Sequence, residues 1–468
     1  MQVIEIQPTP GNDTQNVQSA INGLSNGIVL FGPGIYTLDA MINLKDNVSL
    51  MGKVKHGAVI RKTNNGNMFY GTAVSDVEIS GLSFDGLNNQ CTPIGFGGSA
   101  SAGDCFGCGG TPSKRISVND NLIQNIGGEF GYGIVYLNTL DATIYNNHLR
   151  NVSRDAIQEK NCKNLSIMEN FVLNAGEAGI DLHYHGEIRG ENINVTSNTV
   201  LNSGNHGIAI GENNCFVENN IVNNSQGYAL IISSSCENVV IKSNTIIGSK
   251  RAISTNPELQ LKNLFIDNNV IKNSDEFAIM IEDKIEQCFI ANNVIENWGS
   301  AFNGIKLKGR GDVMIKNNRL SSLPNSGNAI YSDYDFNIQL IENMINGTLD
   351  LRGPKQLKPL YNRKWTLVSQ EQYNETVEEI LKQTFLLRID VESNTALCGL
   401  AVIKSDPNSQ GNMAEKLAGG PDLIVVNYPA NLYSNPSNKL IVGIGYGGQL
   451  SVFNGLAGGV EVSIGILS

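Results

Sequence analysis

Along the middle of the chain one pattern of apolar and polar positions returns again and again: apolar, two variable residues, asparagine, one variable residue, apolar. It appears as "VNDNLI", "IYNNHL", "IMENFV", "VTSNTV", "VENNIV", "IKSNTI", "IDNNVI", "IANNVI", "IKNNRL" and "LIENMI". The asparagines are Asn121, Asn147, Asn170, Asn198, Asn220, Asn244, Asn269, Asn293, Asn318 and Asn343, spaced by 22 to 28 residues. A period of that length without a helical spacing of apolar residues predicts a parallel β-solenoid. Leucine-rich repeats share the period but need a leucine signature that is absent. Stacked coils lie about 4.8 Å apart. An asparagine recurring at one turn therefore predicts a ladder of side-chain amides, with a structural role.

A second strand follows each such turn, in "YGIVYLN", "DAIQEKN", "AGIDLHY", "HGIAIGE", "YALIISS", "RAISTNP", "FAIMIED", "NGIKLKG" and "NAIYSDY". Alternation of period two turns Ile134, Ile157, Ile180, Ile208, Leu230, Ile253, Ile279, Ile305 and Ile330 inward. The residues after them form an outward column that includes Val135, Gln158, Asp181 and Ala209. Two positions further come Leu137, Lys160, His183 and Gly211, and two before the isoleucine Tyr132, Asp155, Ala178 and His206.

The ends depart from the repeat. Asn12 and Asp13 are placed to cap a helix over 14–24 with Val17, Ala20, Ile21 and Leu24 on one face, covering the open edge of the first coil. "SQEQYNETVEEILKQ", 369–383, predicts a connecting helix, and alternating strands resume beyond it. The expected organisation is a cap with first strands over 1–45, a parallel β-helix over 46–355, a linker with a helix over 356–383 and a small β-sandwich-like domain over 384–468. The class is all-β.

Composition narrows the partners. A net charge of −11 and a pI near 5.1 leave no basic stripe for nucleic acid. No apolar run is long enough to insert in a membrane. The N-terminus lacks a basic region followed by an apolar run, so no secretory leader is expected and synthesis in the cytoplasm is. Cys162, Cys215, Cys236 and Cys288 fit buried thiols. Cys91 with "CFGC" at Cys105 and Cys108 lacks the second pair a zinc site needs.

"NDTQNVQSAINGLSNGIVLFGPGIYTL" followed by "VSLMGKVKHGAVI" resembles the opening of the pectate-lyase-like right-handed parallel β-helix superfamily, with Gly34 and Tyr36 matching its G-x-Y element. The resemblance implies the fold over residues 1 to about 350. Members hydrolyse, eliminate, epimerise or bind polysaccharides, so it leaves the chemistry open.

Ionisable residues gather on three consecutive coils, those of Asp155, Asp181 and His206, and the Asp181 coil is the longest. Paired carboxyls suit glycoside hydrolysis, with Asp155, Glu177 and Asp181 supplying acid and base and His183 and His206 orienting them. "NHGIAIG" resembles a polygalacturonase motif. By position Asp155 in "RDAI" then matches an acidic residue, whereas alanine stands at 178 where a second acid is expected. "GIDLH" resembles a motif of mannuronan C5-epimerases, which implies proton abstraction with Asp181 and His183. Arg154, Gln158, Lys160, His185, Arg189 and Arg251 are the candidate substrate contacts, the basic ones for acidic or sulfated groups.

No cofactor is expected. Asp181, His183 and His185 alternate along one strand and are the one set suited to a divalent metal, and no Asp-rich loop points to calcium. The reading is a polysaccharide-degrading glycoside hydrolase resembling a phage tailspike, homotrimeric through its C-terminal strands, in a virion tail or outside the cell after release. A uronate lyase or epimerase, and a non-catalytic glycan-binding spike, are the alternatives.

Overall fold

The computed structural model describes residues 1–98, 110–183, 189–282, 284–322, 326–333, 335–346 and 349–351, and nine strand backbones between 363 and 467. The chain is an all-β parallel solenoid of three parallel sheets, and it divides into two compact units, Met1–Lys250 and Arg251–Ser468. Each coil contributes one strand to each sheet in turn. One coil of the first unit supplies Lys163–Met168 to the first sheet, Phe171–Ala175 to the second and Ala178–Leu182 to the third.

The repeated motif is the corner between the first and second sheets. The residue before each ladder asparagine takes a left-handed conformation: Asp120, Asn146, Glu169, Ser197, Asn219 and Ser243 in the first unit, with φ between 52° and 58°. That conformation is cheapest for Asn and Asp among residues with a Cβ, which explains the frequent "NN". The asparagine after it is buried. Asn170 donates its backbone N–H and its side-chain Nδ2 to Oδ1 of Asn198 at 2.9 and 3.0 Å, and a further Nδ2–H to the Ile144 carbonyl at 2.9 Å. The same links run from Asn121 to Asn244 in the first unit and from Asn269 to Asn343 in the second.

At the N-terminus, Gln2–Ile6 pairs parallel with Gly27–Phe31, and the helix Thr14–Asn22 buries Val17, Ala20 and Ile21. The N-cap position is Asp13, which makes no side-chain cap bond, and the residue before it, Asn12, accepts from the Thr14 N–H at 2.9 Å. Asp13 serves otherwise: fully buried, it accepts from the Thr9 and Thr37 N–H groups at 2.6 and 2.9 Å, tying the cap to the first coil.

The helix expected over 369–383 is not what its described residues form. Gln372–Thr376 is a strand, antiparallel to Gln449–Asn454, and Arg363–Leu367 before it pairs with Val460–Leu467. Tyr373 and Thr376 suit a strand, and partners contributed from the chain's far end outweighed a local helical pattern. The C-terminal strands make a five-stranded and a four-stranded sheet, antiparallel except where Leu423–Asn427 meets Leu440–Ile444. Cys91, Cys162, Cys215, Cys236 and Cys288 are buried free thiols, while Cys105 and Cys108 lie outside the described residues.

Candidate active site

The third sheet of the first unit carries the cluster. Its strands Ile134–Leu137, Ile157–Lys160, Ala178–Leu182, His206–Ile210 and Tyr228–Ile232 stack in register. Val135, Gln158, Asp181, Ala209 and Ile231 align as one column, as the alternation predicts, and Ala178, His206 and Tyr228 align as another.

Asp155 sits just before its strand and is almost wholly buried. Its Oδ1 accepts from the Ala178 N–H and its Oδ2 from the Gln158 Nε2, each at 3.0 Å, and Arg154 Nε is 3.9 Å away. Burial above all, and then the charge of Asp181, pushes this carboxyl up to about 7. Asp181 on the next coil is also raised by burial, against the pull of His183, Lys160 and the Gln158 amide. Gln158 thus stands between two carboxyl groups of adjacent coils.

Glu177 faces solvent with 3.1 Å between its Oε2 and Arg154 Nε. Its carbonyl accepts from the N–H groups of Asn205 and His206 at 3.0 and 3.1 Å, fixing the next coil beneath it. The Arg154 guanidinium lies over the rings of Phe130 and Tyr132, at 5.6 and 5.4 Å. His206 leans on Tyr228 with ring centroids 5.4 Å apart. Its Nδ1 is buried without a hydrogen-bond partner, and burial lowers its basicity against the attraction of Glu177.

Asp155, Gln158, Lys160, Glu177, Asp181, His183 and His206 therefore lie together on three coils, with Arg154 at their edge. Arg189 donates to the Gly211 carbonyl at 3.0 Å. Arg251 belongs to the second unit, where Glu276 pairs with it. His185 lies outside the described residues, and with it the proposed metal set. Among the described residues no three His, Cys, Asp or Glu side chains are arranged to hold a metal. His56 and His148 are apart from the cluster: His56 Nε2 bonds the Asp120 carbonyl, and His148 packs on Phe171.

Two acids of these coils escaped the sequence reading. Glu159 points inward, in register with Tyr136 and Leu182, and is fully buried. Its Oε1 accepts from the Cys162 N–H at 2.7 Å and its Oε2 has no hydrogen-bond partner. Glu212, also fully buried, accepts from the Gly190 N–H at 2.7 Å and the Asn161 N–H at 3.4 Å. Burial and mutual repulsion hold Glu159 well above the usual carboxylate range, and burial pushes Glu212 up to about 7. Strict alternation from Ile157 was the signal for Glu159, since it puts a carboxylate where an apolar residue belongs. Glu212, one residue past the strand and Gly211, gave none.

Residues 112–297 match the family model described as "Periplasmic copper-binding protein (NosD)". No curated protein sequence matches the chain. Among solved structures, the tailspike protein of the E. coli bacteriophage HK620, solved in complex with a pentasaccharide, is similar over 99% of this chain and 91% of its own, at 13% identity and a TM-score of 0.53. The mannuronan C-5 epimerase A-module of Azotobacter vinelandii covers 74% of this chain and 94% of its own, at 15% identity and 0.45. The family 28 exopolygalacturonase of Yersinia enterocolitica covers 75% and 79%, at 12% and 0.48. Identities this low speak for fold and not for activity. Its coils and three parallel sheets make the chain a parallel β-helix, and the likeness to the tailspike protein speaks for that same fold.

Proposed function

We propose that the protein is a polysaccharide-acting enzyme, and that its reaction is hydrolysis of a glycosidic bond across the third-sheet face of the first unit. The observation that carries this reading is Asp155, a buried carboxyl raised to about 7 and joined through Gln158 to the column of a second raised carboxyl, Asp181. Pairs of carboxyls with separated protonation preferences are what acid–base cleavage of an acetal requires. Asp155, protonated near neutrality, donates its proton to the departing glycosidic oxygen. Glu177 or Asp181 receives the proton of the attacking water or attacks the anomeric carbon itself. Tyr132, Phe130 and Tyr228 offer ring faces to the sugar. Arg154 is engaged with Glu177, and Lys160 pulls the Asp181 carboxyl down against its burial, so both cations are committed to acids of the site before they meet a substrate.

A second reading, elimination or epimerisation at a uronate, is favoured by the nearness of His183 and Lys160 to Asp181. A metal-dependent variant would rest on His185. The C-terminal strands are read as the assembly element of a homotrimeric spike. The deciding experiment is incubation with neutral and acidic polysaccharides, following new reducing ends together with the absorbance of a new carbon–carbon double bond. Reducing ends alone are expected. Reducing ends with absorbance would replace hydrolysis by elimination, and neither signal on any substrate would leave a glycan-binding protein without turnover.

A further inference from the structure

The outer face of the first sheet in the second unit bears a feature with no counterpart in the proposed reaction. Phe265 on Gln260–Asp267, Phe289 on Lys284–Ala291, Met314 on Arg310–Lys316 and Gln339 on Asp335–Ile341 align in one outward column over four coils. The two phenylalanine rings are flat on one another, 5.0 Å between centroids and 4° from parallel. Phe265 is 37% exposed, so the stack is not buried core.

Beside this column runs a polar one. Gln287, Asp312 and Asn337 line a shallow cleft of about 240 Å³ together with Phe289, Met314 and Gln339. Asn337 donates to Asp312 at 3.0 Å, which orders that edge. The pairing register slips between Ile285 and Cys288, just under Gln287 and Phe289. Such bulges re-aim side chains and gather where a surface does more than continue a sheet. The inward neighbours Cys288 and Val313 are buried, so the scaffold below is rigid.

We propose that this cleft is a second, non-catalytic glycan site that takes a neutral sugar chain. Aromatic faces bind the apolar C–H faces of pyranoses, and carboxamides beside them donate to and accept from hydroxyls, the combination of apolar platform and few placed polar groups that small-ligand sites use. Asp312 is the one charge among the lining residues, so charge complementarity selects neutral sugars over uronates. The column runs along the coil stack, so successive sugar units meet successive coils.

The test is affinity electrophoresis of the full chain through gels containing dextran, laminarin, galactomannan or polygalacturonate, in an Asp155→Asn background so that turnover does not consume the probe. At least one neutral polysaccharide is expected to retard the protein, and polygalacturonate is not expected to do so through this cleft. Phe265→Ala with Phe289→Ala should weaken the retardation at least about tenfold. Gln287→Ala with Asp312→Ala, which leaves both rings and the core in place, should weaken it as well. Retardation by none of the neutral polymers, or retardation unchanged in both double variants, overturns the proposal. An altered oligomeric mass of the phenylalanine variant with unchanged retardation would assign the face to contact between copies. Activity of the chain with Asp155 in place, measured separately, bears on the third-sheet reading and not on this one.

Discussion

From Asn121 onward, the coils of the first unit carry two regions of opposite character. At the ladder corner the same asparagine returns coil after coil, its backbone N–H and side-chain amide satisfied by its neighbours in the stack. At the third sheet the same stacking brings together residues that differ at every step: Gln158 over Asp181 over Ala209, and Ala178 over His206 over Tyr228. A repeat position that a solenoid needs is filled identically because every coil poses the same problem. A position where neighbouring coils disagree, and where the disagreement leaves acids buried at a cost, serves some other end. In a repeat fold, structure is what recurs and chemistry is what departs from it.

Substitutions can break this contrast, and the largest effect is expected at its functional side. Asp155→Asn should lower turnover by about 10²–10⁴-fold, the range for loss of a general acid, while leaving thermal stability unchanged or raised. Activity and melting are to be measured on the same preparation. A fall in melting temperature matching the loss of activity would make Asp155 a structural residue like those of the ladder.

Next comes the ladder itself. Asn198→Ala takes the Oδ1 acceptor from both Asn170 donors and the Nδ2 donor from the Ile167 carbonyl and from Asn220, all buried. The stranded groups should cost on the order of 3 kcal/mol in urea unfolding. Specific activity of the folded fraction should hold.

A smaller effect follows pH. Asp155 and Glu212 both stand at about 7 in the folded chain, above their ordinary values of 3.8 and 4.5. Their folded states hold protons that the unfolded chain has already released, so stability is greatest below about pH 4 in this respect and falls until about pH 7. Melting of the wild type should therefore decline across that window. Asp155→Asn and Glu212→Gln should each flatten the decline. A wild-type slope that neither substitution alters would sink this account.

The smallest effect is expected where the ladder's chemistry meets water. Asn164, Asn192, Asn214 and Asn238 stack by amide hydrogen bonds of 3.0, 3.3 and 2.8 Å at an outer corner, all in the left-handed region. Asn192→Gly keeps that conformation available and leaves solvent to satisfy the neighbours, so melting should move by less than about 0.5 kcal/mol. A loss comparable to Asn198→Ala would mean that burial is not what separates the two stacks.

The solenoid was legible in the sequence because one asparagine and one inward isoleucine recur, and the registers Ile157 to Ile180 to Ile208 follow directly from them. The outward column through Gln158 and Asp181 came with it, since parity fixes facing. What parity does not fix is depth. The sequence grouped Glu177 and Asp155 on adjacent coils, yet one is half-buried and ion-paired while the other is buried and raised. Glu212 was hidden because its role comes from the N–H groups of Asn161 and Gly190 on other coils, a meeting no local pattern encodes. The segment around Gln372–Thr376 failed for a related reason: its partner, Gln449–Asn454, lies far along the chain.

The ladder also has a sense of direction. Every Oδ1 turns toward the preceding coil and every link to the next is made by an N–H, from Leu82, whose N–H meets the first Oδ1 at Asn121, onward to Asn244. The amide dipoles therefore add rather than cancel, as aligned peptides do in a helix, but with the opposite sense: the row has its negative pole at the N-terminal end and its positive pole at the other. Hydrogen bonds so aligned polarise one another, and each link gains from the length of row on either side of it. One and the same asparagine thus has a different worth at Asn170 than at Asn121, because cutting the middle leaves two short dipoles where there was one long one.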